Sequence, residues 1–260
     1  MDGVARAWRR GWRLPLVLLH LLLGALVAAC LPGRGERVPS AWPMVLWCRV
    51  LCRILGLRLT VYGDPLPGRA LLVANHVSWL DILCIAAVCP THFLAKQEVA
   101  GWPLIGWLCR RAGTAFIRRG DERGARDAAE RLTWRLRRRG GRVLVFPEGT
   151  STDGRGVRRF FPRLFQAAIR ARCPVQALAL RYPHAGGVHP AVPFVGDDAF
   201  VAHLWRVLGA GGLHAELHFL DALPPTLSRD ELARRSHAQV LAVVGGQGWP
   251  DQAPGSAAIT

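Results

Sequence analysis

Apolar and polar segments alternate along most of the chain, and the apolar segments fall into two length classes. Short apolar runs are typical of buried strands, whereas longer segments with apolar positions three or four apart are typical of helices. The predicted strands are residues 57–62, 70–74, 91–95, 113–117, 142–146, 174–180 and 214–220. The predicted helices are residues 82–88, 97–111, 121–139, 160–172, 198–208 and 228–244. This alternation predicts an α/β fold in which a mixed sheet of about seven strands is flanked by helices.

Two further apolar segments precede the first strand, at residues 14–31 and 41–57. The first is at the lower length limit for a membrane span, and three interpretations are open for it. The first interpretation is a signal peptide, since Val27-Ala28-Ala29-Cys30 resembles a lipoprotein processing site. The second is an anchor that spans the membrane, and the third is one arm of a hairpin that dips into one leaflet.

We favour a membrane-embedded helical hairpin formed by residues 1–56. Prolines and glycines between residues 32 and 39 indicate a turn, and Trp42 and Trp47 suit the membrane interface. The arginines near the N-terminus suit a cytoplasmic N-terminus; they are Arg6, Arg9, Arg10 and Arg13. The soluble domain is then residues 57–245, and the Gly-, Pro- and Gln-rich residues 246–260 are predicted to be a disordered tail.

The charge of the chain indicates an anionic partner. Lysine and arginine number 34 against 18 acidic residues, a net charge of +16, and Lys96 is the single lysine. Such a balance suits nucleic acid or a membrane with acidic lipids, but no nucleic-acid-binding motif is present, so we expect the membrane partner and no nucleic acid. No metal-ligand spacing occurs, and we expect no cofactor.

The residues that follow the predicted strand 70–74 have the pattern expected of a catalytic loop. His76 stands where this strand ends, and Asp81 lies in the first turn of the following helix. Ser78 and Asp81 fit a capping box, in which the acidic side chain reaches back across the helix N-terminus. A carboxylate in that position can bind one imidazole nitrogen and leave the other free to act as a base. A simple helix cap is the alternative.

Four segments, in order, resemble the motifs of the glycerolipid acyltransferase family. The match is close for the third, similar for the first two and weaker for the fourth, where the family usually has a proline and this chain has Ala177. The segments are Asn75-His76-Val77-Ser78-Trp79-Leu80-Asp81, Gly113-Thr114-Ala115-Phe116-Ile117-Arg118-Arg119, Phe146-Pro147-Glu148-Gly149-Thr150-Ser151 and Cys173-Pro174-Val175-Gln176-Ala177-Leu178-Ala179-Leu180. The resemblance covers about residues 57 to 222.

The resemblance implies roles for individual residues. It implies that His76 is the general base, oriented by Asp81, and that Arg119 grips an anionic head group. The remaining expected substrate-site residues are Asn75, Lys96, Glu148, Gly149 and Thr150. The implied reaction is transfer of a fatty acyl group from acyl-carrier protein or acyl-CoA to the hydroxyl of a lysolipid, at the cytoplasmic face of the inner or plasma membrane.

Two departures from the family pattern bear on the acceptor. Many phosphatidate-forming relatives have Phe-Lys-x-Gly after the third motif, where this chain has Arg159-Phe160-Phe161-Pro162. Together with Ala177, this difference resembles the branch that acylates lyso-ornithine lipid. Both acceptors, 1-acyl-sn-glycerol-3-phosphate and lyso-ornithine lipid, therefore stay open. A basic, non-catalytic membrane-binding module is the alternative from another functional class.

Overall fold

A computed structural model describes residues 2–30, 41–111, 113–117, 122–137, 141–245 and 257–259. The strands are β1 (Arg58–Tyr62), β2 (Ala70–Ala74), β3 (His92–Lys96), β4 (Ala115–Ile117), β5 (Arg142–Val145), β6 (Val175–Arg181), β7 (Pro183–His184), β8 (Gly187–Val188), β9 (His214–Leu223) and β10 (Ala257–Ile259). Eight of them form one sheet in the order β10-β1-β9-β6-β2-β5-β3-β4, and β7 pairs with β8. The mixed sheet of the α/β prediction is confirmed.

Five neighbouring strands of this sheet, β6, β2, β5, β3 and β4, are mutually parallel. Their carboxyl ends therefore meet at one edge, and four of the sequence motifs include or directly follow these ends. Such an edge is where open α/β sheets place their sites. Strand β9 is antiparallel to β6 but parallel to β1, which makes the sheet mixed.

Helices cover both faces of the sheet. They are α1 (Asp2–Cys30), α2 (Ala41–Leu55), α3 (Leu80–Ala86), α4 (Ile105–Arg111), α5 (Glu122–Arg137), α6 (Gln166–Ala171), α7 (Phe200–Gly209) and α8 (Arg229–Val244). One core joins α1, α2, α3 and α7 to one face, and a second core joins α5, α6 and α8 to the other. Strand β2 is buried on both sides, with Leu72 in the first core and Leu71 in the second.

Prolines explain where predicted helices differ from the observed ones. Residues 97–111 were expected to form one helix, but a 3₁₀ helix (Gln97–Gly101) and α4 are separated at Pro103. Similarly, residues 160–172 were expected to form one helix, but Phe161 is extended, and a 3₁₀ turn that begins at Pro162 precedes the short α6. Proline lacks the N–H that a helix interior requires, so both helices are interrupted or delayed. The capping box predicted at Ser228 is present, since its hydroxyl accepts the Glu231 N–H.

The C-terminal segment differs from its prediction where the structure describes it. Ala257–Ile259, expected to be part of a disordered tail, forms β10 and pairs antiparallel with β1. Residues 246–256 of that predicted tail lie outside the described residues.

Helix α1 is bound to the soluble domain by arginines that were expected only to set membrane orientation. The guanidinium of Arg13 is buried and donates to the carbonyls of Leu208 and Ala210, at 3.1 and 2.6 Å. Arg9 donates to Gly209 O at 2.9 Å. These carbonyls lie at the C-terminal end of α7, where a helix lacks intrahelical partners and favours cations.

Helix α2 packs against the domain on one side. Cys48, Cys52 and Leu55 are buried in the first core, and the guanidinium of Arg49 donates to Ala87 O at 2.8 Å. Leu46, in contrast, is exposed. One face of α2 thus covers the sheet, and the remainder is available for the membrane contact predicted for the hairpin.

The second half of α1 presents leucines to the surroundings. Gly3–Cys30 is, among the described helices, the one long and apolar enough to cross a membrane, and its most apolar 18-residue window has a mean hydropathy of 2.1. Leu18, Leu22 and Leu26 are each more than half exposed. His20, on another side of the helix, stacks on Trp47 of α2 with ring centroids 4.7 Å apart. The polar and aromatic contacts hold α1 to the domain and leave the leucines free to meet lipid.

We expect α1 to stay on the mature protein. Removal at Cys30 would uncover the α7 carbonyls that Arg9 and Arg13 bind and the inner face of α2, at a cost in buried hydrogen bonds and apolar area. Intact-mass measurement of protein extracted from the membrane fraction should therefore give the uncleaved N-terminus. A mature chain that starts at Cys30 would contradict this prediction in favour of a processed lipoprotein.

Candidate active site

His76 and Asp81 form a hydrogen-bonded pair at the carboxyl end of β2. The imidazole Nδ1 is 2.7 Å from Asp81 Oδ2, and the carboxylate is fully buried while the histidine side chain is 17% exposed. The imidazole also stacks on Phe146, with ring centroids 4.0 Å apart. The ring is therefore fixed, with Nε2 as the nitrogen that can receive a proton.

The position at which α3 begins explains how His76 and Asp81, five residues apart in the chain, form a hydrogen bond. Helix α3 begins at Leu80, so Asp81 lies in its first turn and His76 lies outside it. Asp81 Oδ2 also accepts the N–H groups of Val77 and Ser78, at 2.7 and 3.0 Å. The acidic half of the predicted capping box is therefore present. The serine half is not, because Ser78 Oγ is buried without a hydrogen-bond partner in the described part of the chain.

Tyr182 completes the environment of Asp81, and the sequence analysis missed it. Its hydroxyl donates to Asp81 Oδ1 at 2.6 Å, and the whole side chain is buried. Burial, reinforced by the negative charge of Asp81, raises the pKa of Tyr182 well above its ordinary value, so the phenol stays protonated and donates. The only available signal was position, since Tyr182 directly follows the strand that carries the fourth motif.

Asn75 supports the loop from the side of β6. Its amide nitrogen donates to Leu180 O at 2.9 Å, and its amide oxygen accepts the Leu180 N–H at 2.8 Å. The side chain is fully buried. Both ends of the amide thus bind backbone that extends the β2–β6 ladder, so Asn75 supports the loop, and its contact with substrate stays a prediction.

Glu148 supports the same loop from the side of β5. Its two carboxylate oxygens accept the N–H groups of His76 and Arg158, both at 2.7 Å, and the side chain is buried. Burial raises the pKa of Glu148, while the two backbone hydrogen bonds oppose that rise. Glu148 thus holds the backbone of the His76 loop, and its contact with substrate stays a prediction.

Gly149 and Thr150 follow at the rim of the same edge. Gly149 has φ of +74°, and its N–H donates to Phe146 O at 3.1 Å. Its backbone conformation favours glycine, and its N–H is used within the turn, while its place in the substrate site stays a prediction. Thr150 is half-buried beside it, in reach of a molecule bound at the edge.

Comparison with known proteins gives a consistent result. A family model described as Acyltransferase matches residues 58–181. Lyso-ornithine lipid O-acyltransferase of Pseudomonas aeruginosa is 40% identical over 249 residues, which cover 92% of this chain and 93% of that protein. This chain belongs to the acyltransferase family.

Two further similarities agree with this assignment. A 1-acyl-sn-glycerol-3-phosphate acyltransferase of Neisseria gonorrhoeae is 38% identical over 179 residues, 69% of this chain and 70% of that one. The crystal structure of the 1-acyl-sn-glycerophosphate acyltransferase PlsC from Thermotoga maritima has a TM-score of 0.71 at 20% identity, covering 96% and 100% of the two chains. At 20% identity, the likeness to the Thermotoga maritima structure establishes a shared fold.

Lys96 and the last described residue of the second motif, Ile117, lie at the same sheet edge. Lys96 ends β3 of the acyltransferase and is paired in register with Ile117, the last residue of β4. Arg119 itself lies outside the described residues, two positions beyond Ile117. The backbone therefore brings the second motif next to Lys96, two strands from the end of β2 in the sheet order.

A buried histidine of α7, His203, holds an aromatic cluster that follows the His76 loop; we call it the aromatic wall, and it comprises Trp79, Phe200 and Trp102. The indole Nε1 of Trp79 donates to His203 Nδ1 at 2.9 Å, and His203 Nε2 lies 3.0 Å from Val192 O. Burial lowers the pKa of His203, so the neutral ring can accept at Nδ1 and donate at Nε2. Phe200 contacts both Trp79 and Trp102, at centroid distances of 5.4 and 4.9 Å, which joins this wall to the segment before α4.

Replacing Tyr182 with Phe should lower the kcat of acyl transfer about tenfold and leave the KM of both substrates nearly unchanged. A hydrogen bond to a charged group is worth about 1.5–3 kcal/mol, and tenfold in rate is about 1.4 kcal/mol. Steady-state kinetics at saturating acceptor would measure the change.

The chain contains one matched control, because its only other tyrosine is Tyr62. Tyr62 stacks on His218, with ring centroids 4.3 Å apart, and does not contact the pair. Tyr62→Phe should keep the kcat of the unaltered protein. An equal loss in both variants, or a Tyr182→Phe loss that follows lowered thermal stability alone, would contradict the positioning role.

Proposed function

We propose that this acyltransferase moves a fatty acyl group from a thioester donor to the free hydroxyl of a lysolipid, with His76 as general base. One observation carries the proposal: the His76 ring is held by Asp81 through Nδ1 at 2.7 Å, at the edge where five parallel strands end. A histidine fixed in this way presents its second nitrogen to a hydroxyl and stabilises the charge it acquires through the buried carboxylate.

The reaction takes place as one displacement. His76 Nε2 removes the proton of the acceptor hydroxyl while its oxygen attacks the thioester carbonyl, and a tetrahedral oxyanion forms. This intermediate collapses with cleavage of the carbon–sulfur bond, and the imidazolium returns its proton to the leaving thiolate. The products are the ester and a free thiol, so atoms and charge balance. The thioester is already activated, and the chain has no G-x-S-x-G nucleophile elbow, so a covalent acyl-enzyme is not required.

The role of Asp81 is to stabilise the imidazolium that His76 becomes when it accepts the proton. An imidazolium that forms beside a fully buried carboxylate is stabilised more than it would be in water, because the surroundings have a low effective dielectric constant. Asp81 faces four hydrogen-bond donors, one of which we assign to the imidazole Nδ1, so that Nε2 is left to face the acceptor hydroxyl.

We favour lyso-ornithine lipid as the acceptor. The relative from Pseudomonas aeruginosa that carries this activity in its name aligns over 92% of this chain, whereas the gonococcal glycerophosphate enzyme aligns over 69%. Residues 159–162 and Ala177 also depart from the phosphatidate-forming pattern. The second candidate acceptor is 1-acyl-sn-glycerol-3-phosphate, supported by the identity to that enzyme.

We place the enzyme at the cytoplasmic face of the membrane. The exposed leucines of α1 favour lipid contact, and acyl-carrier protein and acyl-CoA are cytoplasmic donors. The basic net charge of +16 favours a membrane with acidic lipids.

His76→Ala should lower kcat by about two to four decades, the usual contribution of a general base. Asp81→Asn should also slow transfer severely, since an amide can donate to Nδ1 and favour the wrong tautomer. The assay is release of free thiol from a palmitoyl thioester on addition of lysolipid. His184→Ala is a matched control, because His184 is exposed on β7. Near-normal turnover of a folded His76→Ala protein would refute the assignment.

Arg119→Ala and Lys96→Ala should separate the two acceptors. With a phosphomonoester acceptor, both residues neutralise one dianion, so each variant should raise the acceptor KM about tenfold. With lyso-ornithine lipid there is a single carboxylate, so Arg119→Ala should raise KM while Lys96→Ala leaves it nearly unchanged. Equal losses of kcat with unchanged KM for both acceptors would instead assign these residues to the oxyanion or to the donor.

A further inference from the structure

The segment from residue 154 to 172 is the most strongly basic part of the described chain, and we call it the arginine segment. It contains six arginines and no acidic residue within nineteen positions. All six side chains are exposed; they are Arg155, Arg158, Arg159, Arg163, Arg170 and Arg172. The arginine content of the whole chain is high, but the complete absence of acids here goes beyond that general bias.

The arginine segment begins at the active site. The Arg158 N–H donates to Glu148 Oε2 at 2.7 Å, and the other oxygen of that carboxylate binds the His76 N–H. Phe161 N donates to Pro147 O at 2.9 Å. One carboxylate thus joins the basic segment to the backbone of the catalytic histidine. From there the segment continues through the 3₁₀ turn Pro162–Phe165 and α6, away from the edge of the sheet.

The arginine segment lies on the face of the sheet opposite the membrane helices. Phe160, Phe165 and α6 belong to the core shared with α5 and α8, whereas α1 and α2 belong to the core on the other face. The lipid-facing leucines are on α1. A bilayer bound through α1 therefore meets the opposite side of the sheet, and the charge of this segment is directed to a partner in solution.

Two acids on the helices packed beside this segment are already engaged by arginines. Glu231 of α8 pairs with Arg234 and Arg235 of its own helix. Glu130 of α5 shares a surface cavity with Arg137 and Arg170, one carboxylate beside two guanidinium groups. In the middle of the arginine segment, Phe161 is 56% exposed. An exposed aromatic ring among arginines has the composition of a protein-interface core.

We propose that the arginine segment docks an acidic carrier protein that presents the acyl group as a thioester. This proposal rests on the proposed function and specifies the partner that delivers the donor. Complementary charge would steer the carrier onto the face opposite the bilayer, raising the association rate at low ionic strength. The acceptor would reach the same edge from the membrane side, so the two substrates would approach from different directions.

The test uses the full-length enzyme in detergent and three donors with the same palmitoyl group: the acyl-carrier protein thioester, the CoA thioester and the uncharged N-acetylcysteamine thioester. The variant Arg159→Gln/Arg170→Gln/Arg172→Gln removes three charges from the segment. The control Arg229→Gln/Arg234→Gln/Arg235→Gln removes three charges from α8, where all three arginines are exposed. Both proteins have the same net charge and are compared for thermal stability.

The segment variant should raise KM for the carrier-protein donor about tenfold in low salt, with kcat and the KM for the uncharged thioester unchanged, and added salt should reduce the difference. The control should keep the unaltered KM. Binding of labelled carrier protein, measured by fluorescence anisotropy, should weaken by the same factor.

Several results would overturn docking by a carrier protein. The first is an unchanged KM of the segment variant for the carrier-protein donor. The second is an equal rise in its KM for the CoA thioester, which indicates a nucleotide site. The third is a loss of binding to phosphatidylglycerol vesicles in the segment variant and not in the control, which indicates a membrane contact. Failure of the proposed function is a separate result. The enzyme would then release no thiol from the uncharged thioester with any lysolipid, while fluorescence anisotropy would still report binding of the carrier protein.

Discussion

The site depends on a carboxylate that has been removed completely from water. An ionised group in that environment is tolerated only when hydrogen bonds replace its hydration, and Asp81 receives four donors. Two are backbone N–H groups of its own loop, one is the imidazole and one is the Tyr182 phenol. Each donor therefore has a fixed place, and the orientation of His76 follows from the requirement to satisfy Asp81.

A second buried carboxylate completes the same arrangement. Three consecutive N–H groups, those of His76, Val77 and Ser78, all point at carboxylate oxygens; Glu148 binds the first and Asp81 binds the other two. The carbonyls of this loop are also bound, since His76 O accepts from Thr152 N at 2.8 Å and Val77 O from Phe194 N at 3.0 Å. The loop of His76 is thus held by groups that are distant in sequence, which is the rigidity that the proposed general base requires.

The layered fold gives the enzyme two distinct surfaces. On one face, α2 and α3 fill the core while α1 turns leucines outward, and the buried guanidinium of Arg13 binds α1 to the end of α7. On the other face, α5, α6 and α8 form an arginine-rich surface. The reacting edge of the sheet lies between them. In the proposed reaction a soluble thioester meets a membrane lipid, and the parallel strands supply one edge that both can reach.

The sequence by itself predicted most strands and helices and the pairing of His76 with Asp81, which the structure shows as a hydrogen bond. Buried strands are short apolar runs, and the position of His76 at a strand end with Asp81 in the next first turn is a local relation that spacing can express. The tertiary structure alone decided the roles of residues whose partners are far away in the chain. Asn75 and Glu148 look like substrate ligands in sequence, and the structure adds their hydrogen bonds to Leu180, His76 and Arg158, which support the loop. Tyr182 and Asp81 are 101 positions apart in the chain, and Arg13 and Ala210 are 197 positions apart. No local pattern specifies these contacts, because they form only once the sheet has brought the segments together.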